Sequence, residues 1–137
     1  MIEIKDVLSL KIRFNNNGEK SKTTHPYIVK SINEQLGIVE IIQRDSIKEG
    51  KEYVALYNSN ALIKAGGCFD KDGFVQLDNK FTIENFNELS NFKIGSITDN
   101  QFLKISMKYD KYQKENTIVE NKIVYMTKVE ILKLNKI

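Results

Sequence analysis

Apolar and polar side chains alternate from Val7 to Phe14: Leu8, Leu10, Ile12 and Phe14 fall on one side, Ser9, Lys11 and Arg13 on the other. Period-two alternation predicts a strand with one buried face. Asn15, Asn16, Asn17 and Gly18 end it, because these residue types tolerate a positive φ and open a turn or loop. The loop runs to His25 and is rich in Asn, Ser, Thr and Lys, so it can order around a ligand. Tyr27–Ile32 and Ile38–Gln43 carry the β-branched and aromatic residues that strands prefer. They predict an antiparallel pair turning at Asn33–Gly37. Pro26 lacks an N–H and suits the first residue of a strand or an edge. Tyr53–Tyr57 predicts a fourth strand and Ala61–Lys64 a short fifth. Beyond the breakers Gly66-Gly67 and Asp70–Gly73, Phe74–Leu77 and Lys80–Ile83 read as strands separated by Asp78-Asn79. Many short strands with turn signals between them predict a small barrel or sandwich.

The period changes after Thr98. Asp99 can cap a helix, and Phe102, Ile105, Tyr109 and Tyr112 recur at helical spacing, with Leu103 and Met107 widening the face. This stripe is expected to pack on the sheet. Ile118–Met126 reads as extended, and Thr127 followed by Glu130 is a capping-box pattern opening a short helix, Lys128–Leu134. No repeat or compositional boundary divides the chain, so residues 1–137 read as one domain.

Composition narrows the chemistry. A 137-residue chain that is 41% apolar can bury a real core. A net charge of +3 permits an anionic partner without demanding one. One cysteine, Cys68, cannot form an internal disulfide, and one cysteine with one histidine cannot assemble a Cys/His zinc site. No apolar run approaches the ~20 residues of a membrane-spanning helix, and the N-terminus lacks the pattern of a signal peptide. The expectation is a cytoplasmic protein without a membrane partner, and no cofactor is called for.

His25 and Pro26 are the only histidine and proline in the chain. If the two strands pair about Asn33–Gly37, the start of the first lies beside the end of the second, and His25 and Ser46 meet near one sheet edge. Histidine titrates near neutrality and can serve as general acid or base; it can equally fix its loop by hydrogen bonding. Ser46 can donate to a phosphate or act as a turn residue. Arg13, Lys22 and Arg44 are basic residues near this edge, and with aromatic neighbours they can line a groove for single-stranded nucleic acid. No nucleophile elbow surrounds a serine, and no phosphate-binding Gly-Lys-Ser/Thr follows Gly66-Gly67.

The order of segments resembles the MazF/PemK toxins, the growth-inhibiting ribonucleases of toxin–antitoxin pairs. The segment from Asp6 to Arg13 is similar to their opening strand, and His25-Pro26-Tyr27-Ile28-Val29-Lys30-Ser31 to their Arg-Pro-apolar-Val-apolar-Ser strand. The segment from Ile38 to Ser46 resembles the next strand, which ends in Thr or Ser. The residues from Phe74 to Glu84 and from Lys93 to Phe102 are similar to two later segments in the same order. The resemblance implies a mainly β fold, a small SH3-like barrel with a helix near residues 99–113 and a short C-terminal helix. It also implies a homodimer, a small acidic antitoxin as partner, and metal-independent cleavage of single-stranded RNA. On that resemblance His25 stands where the family has a catalytic arginine and Ser46 where it has a catalytic Thr or Ser. Lys22, Thr24, Arg44 and Arg13 would then contact RNA. The related CcdB toxins share the barrel and act by binding gyrase, so a non-catalytic binding protein is the alternative. Residues 115–137 have no counterpart in a minimal toxin of this kind and are expected to pack on the barrel as an extension.

Overall fold

The computed structural model describes residues 1–16, 18 and 20–135. The described residues are mainly β and form eight strands and two α-helices: β1 (Asp6–Leu10), β2 (His25–Asn33), β3 (Ile38–Ser46), β4 (Asn60–Ile63), β5 (Gly73–Gln76), β6 (Lys80–Glu84), β7 (Lys93–Ser96), α1 (Asp99–Glu115), β8 (Ile123–Met126) and α2 (Lys128–Asn135). The sheet order is β4-β5-β3-β2-β1-β7. It branches at β3, whose residues Ile38–Ile41 pair with β6 and whose residues Arg44–Ser46 pair with β5. All pairs are antiparallel except β6 with β8, which is parallel. The sheet stays open: among the described residues no pairing joins β4 to β7, so the strands do not close into a hydrogen-bonded barrel.

Both faces of the central strands are buried. Leu8, Leu10, Tyr27, Val29, Val39 and Ile41 face one cluster with Phe81, Leu89, Val124 and Ile131. Val7, Ile28 and Ile42 face a second with Ile63, Val75, Ile105 and Tyr109. Alternating side chains from one strand feed two cores because α1 covers one face and the C-terminal segment the other. The aromatic stripe of α1 packs only in part: Ile105 and Tyr109 are buried, whereas Leu103 and Met107 are 61% and 64% exposed and do not widen the packed face.

The strand expected over Val7–Phe14 is shorter. It ends at Leu10, and the chain beyond is held by Ser21, whose N–H donates to the Ile12 carbonyl at 2.9 Å and whose Oγ accepts from the Ile12 N–H at 2.9 Å. Tyr53–Tyr57 is not a strand but part of a 3₁₀ turn, Glu52–Leu56. Of this run Ala55 alone is buried, and Tyr53, Leu56 and Tyr57 stay exposed, so it lacks the alternating buried face of a strand. The cap of α1 is Thr98, not Asp99. Thr98 Oγ1 accepts from the Gln101 N–H at 3.1 Å, and Gln101 Oε1 accepts from the Thr98 N–H at 2.8 Å. Asp99 is paired with Lys5 at 2.5 Å. β7, which periodicity does not reveal, is four mostly exposed residues on the edge beside β1. Part of Ile118–Met126 coils into a 3₁₀ turn at Glu120–Lys122 before β8 begins.

The Tyr109 hydroxyl donates to Glu40 Oε2 at 3.0 Å, and burial, reinforced by the Glu40 charge, pushes its pKa above the ordinary 10.0. Burial, with Asp45 beside it, does the same to Tyr27. A raised pKa in the folded state leaves the folded protein holding protons that the unfolded chain releases. The contribution is therefore complete below pH ~10 and is lost as pH rises toward the folded values. We expect urea-unfolding stability to fall above pH ~10 by about 1.4 kcal/mol per pH unit for each tyrosine. Tyr109→Phe should flatten that slope.

Candidate functional site

The β2–β3 hairpin fixes the site. Asn33 Oδ1 accepts from the Leu36 N–H at 3.0 Å, and Gly37 takes the φ of +65° that closes the turn. The register shifts between Val29 and Ser31 and then runs Val29↔Ile41, Ile28↔Ile42 and Tyr27↔Gln43. Two residues further on, His25 meets Asp45: Nδ1 lies 3.5 Å from Asp45 Oδ1. Asp45 is held in place by two amides. Gln43 Nε2 donates to its two oxygens at 3.1 and 3.2 Å, and Gln76 Nε2 donates to Oδ2 at 2.8 Å. Behind them Tyr27 Oη donates to Gln43 Oε1 at 3.4 Å and Asn79 Nδ2 to Gln76 Oε1 at 2.8 Å. Tyr27 keeps its proton because of its burial, so this chain of donors terminates on the carboxylate.

Ser46 is one residue beyond Asp45 and projects to the opposite face of β3 by strand alternation. The direct neighbour of His25 is therefore Asp45, while His25 and Ser46 share a cleft of about 430 Å³ with Arg44, Lys48, Lys51 and Phe74. Asp45 is the residue that sequence reasoning missed as a functional group. Counted outward from Asn33↔Ile38 the hairpin pairs 25 with 46; the register shift at Lys30, which no sequence pattern announces, brings Asp45 opposite His25 instead.

Arg44 lies at the floor of this cleft and is 2% exposed. Its Nη2 donates to the Lys71 carbonyl at 2.5 Å, and its guanidinium stacks 3.8 Å from the Phe69 ring centroid. Burial lowers its pKa, with Cys68, Asp72, Asp45 and Asp70 pulling the other way; a guanidinium nonetheless stays charged. Arg44 thus supplies positive potential from below rather than a solvated contact. Gly73 opposite Ser46 permits this packing, since a Cβ there would meet Asp45 O at 2.4 Å and Arg44 Cζ at 2.6 Å.

His25 also borders a second cleft, of about 440 Å³, with Phe14, Lys20, Ser21, Lys22, Thr23, Tyr27 and Gln43. Lys22 is thus brought to His25. Thr24 is exposed beside it, and its neighbour Thr23 lines the cleft. Arg13 is placed elsewhere. Its Nη2 donates to the Tyr125 carbonyl at 2.8 Å, Nη1 to Asn15 O and Asn16 Oδ1 at 3.3 Å, and Glu130 lies 3.6 Å away. The chain after β1 runs beside β8, so this guanidinium ties the C-terminal segment down instead of facing the site. Among the described residues no group of three or more His, Cys, Asp or Glu side chains is arranged to hold a metal ion. No helix among them is long and apolar enough to cross a membrane.

No protein-family model and no curated protein matches the chain.

A histidine backed by a fixed carboxylate, with lysines and a hydroxyl around an open cleft, can move a proton beside a bound anion. Asp45→Asn keeps the shape but removes the negative charge that lies 3.5 Å from His25 Nδ1. We expect it to slow any His25-dependent reaction about 100-fold, the usual cost of a misplacement near 1 Å, with unchanged circular dichroism. The rate should be read under single-turnover conditions.

Proposed function

We propose that this chain is a metal-independent endoribonuclease acting on single-stranded RNA, the toxin of a toxin–antitoxin pair of the MazF/PemK kind. The observation that carries the reading is the His25–Asp45 pair at the mouth of a cleft with Ser46, Lys48 and Lys51. The ordered likeness of its segments to those toxins adds to it. In this reading the ribose 2′-oxygen attacks the adjacent phosphorus. His25 Nε2 takes the 2′-hydroxyl proton while Asp45 accepts Nδ1–H and holds the ring. The O2′–P bond forms and the P–O5′ bond breaks, leaving a 2′,3′-cyclic phosphate and a 5′-oxygen that takes a proton from water in the open cleft. Ser46 Oγ donates to a phosphoryl oxygen, Lys48 and Lys51 balance the growing charge, and Arg44 adds to the potential from beneath. A small acidic antitoxin, a homodimeric state and a cytoplasmic site of action belong to the same proposal.

The test is inducible expression of wild type and His25→Ala, with growth recorded and primer extension on cellular RNA. Growth arrest with discrete RNA cuts, both abolished in the variant, supports the reading. Arrest that persists in His25→Ala without cuts opposes it and favours a second reading, a toxin that acts by binding another protein. One feature favours that alternative: Leu62, Leu103 and Met107 line an exposed, largely apolar cleft of about 570 Å³ between β4 and α1.

A further inference from the structure

His25 is shared by the two clefts described above, and strand alternation sets those clefts on opposite faces of the sheet rim. Tyr27 and Gln43 face one side with His25, and Tyr27 continues into the first core. Pro26, Arg44 and Ser46 face the other, on the side of Ile28 and Ile42. Each cleft is of nucleotide size at about 440 and 430 Å³. Each is also basic: Lys20 and Lys22 line the first, and Lys48, Lys51 and Arg44 the second. Asp45 is the one acidic residue described in either lining, and its oxygens are engaged by Gln43 and Gln76. Phe14, 37% exposed and outside both cores, offers a ring at the wall of the first cleft.

We propose that the two clefts form one bipartite groove for single-stranded nucleic acid, which crosses the sheet rim with a single phosphodiester over His25 and a nucleotide in each cleft. This rests on the ribonuclease reading for its substrate class and extends it to the path of the strand. The base in the Lys20–Lys22 cleft stacks on Phe14, and the lysines on either side hold the flanking phosphates. A duplex does not fit this path, because a base seated in the cleft against Phe14 cannot also be paired.

The probe is a mixed-sequence 2′-O-methyl tetranucleotide, which lacks the attacking hydroxyl, so binding is read apart from cleavage. We expect Phe14→Ala to weaken its binding about ten-fold, in the range found for loss of one stacked base. Lys22→Gln and Lys48→Gln, which alter opposite clefts, should each reduce the dependence of log K on log salt by about 0.7. A 2′-O-methyl duplex of the same sequence should bind more weakly than the single strand. The inference is overturned if Phe14→Ala and Lys22→Gln bind as wild type while Lys48→Gln does not, or if the single strand does not bind. Two-cleft binding without cleavage of the matching RNA would sink the ribonuclease reading and leave the groove standing. Cleavage with wild-type binding in the Phe14 and Lys22 variants would do the reverse.

Discussion

Replacing His25 with alanine is expected to slow cleavage of single-stranded RNA by about 100- to 10,000-fold, the usual contribution of a positioned acid–base group. The proposal gives His25 no understudy. It is the only histidine in the chain, and the other polar side chains lining the shared cleft are a hydroxyl, lysines, a guanidinium and Asp45. Asp45 is committed to the ring and to two amides. The lysines that would hold the phosphate remain in the variant, so the loss should fall on kcat with KM little changed. His25 is half-exposed at the start of β2, and its removal leaves both cores untouched. Thermal unfolding of the variant should accordingly match wild type. A variant that cleaves at the wild-type rate would remove His25 from the chemistry.

Replacing Ile131 with alanine should lower stability by about 2–5 kcal/mol, the range for truncating a fully buried aliphatic side chain. Ile131 is 0% exposed and belongs to the same cluster as Leu8, Tyr27 and Val39. The segment that carries it is fastened at several points. The Thr127–Glu130 capping box closes on itself: the Glu130 N–H donates to Thr127 Oγ1 and the Thr127 N–H to Glu130 Oε1, both at 3.2 Å. The Lys128 N–H donates to Glu84 Oε1 at 2.8 Å. At the far end the Asn135 amide exchanges hydrogen bonds with the Lys11 backbone at 2.8 and 3.0 Å. With β8 added to β6, residues 123–135 complete one face of the core rather than decorate it. Since total stability for such a domain is about 5–15 kcal/mol, the variant should show a clear drop in urea midpoint at constant m value. A change under about 1 kcal/mol would mean that α2 is only loosely attached.

Much of this arrangement was legible in the sequence where one rule dominated. The β2–β3 hairpin follows from two β-branched runs about a turn, and α2 from a capping box whose hydrogen bonds form as the spacing implies. Tyr53–Tyr57 shows where propensity fails: the run lies next to the edge strand β4 and still coils into a 3₁₀ turn that buries Ala55 alone. Leu103 and Met107 show the same for a helix: apolar spacing does not say how wide a face the sheet can cover. At the site, position in the hairpin brought His25 and the end of β3 together. The register shift at Lys30 then placed Asp45, not Ser46, against the ring. Arg13 read as an RNA contact because nothing local announces that β8 will pass beside it, 112 residues later in the chain. The buried setting of Arg44 likewise depends on Phe69 and Lys71, which approach it through the β5 pairing.

On the proposed reading this cleft cuts RNA by proton transfer through His25 without a metal. The most direct measurement is to incubate the purified protein with single-stranded RNA in excess chelator and read the chemistry of the new ends. The expected result is cleavage that leaves a 2′,3′-cyclic phosphate and a 5′-hydroxyl, and that is lost in His25→Ala. Cleavage that needs a divalent cation, or that leaves a 5′-phosphate, would contradict it.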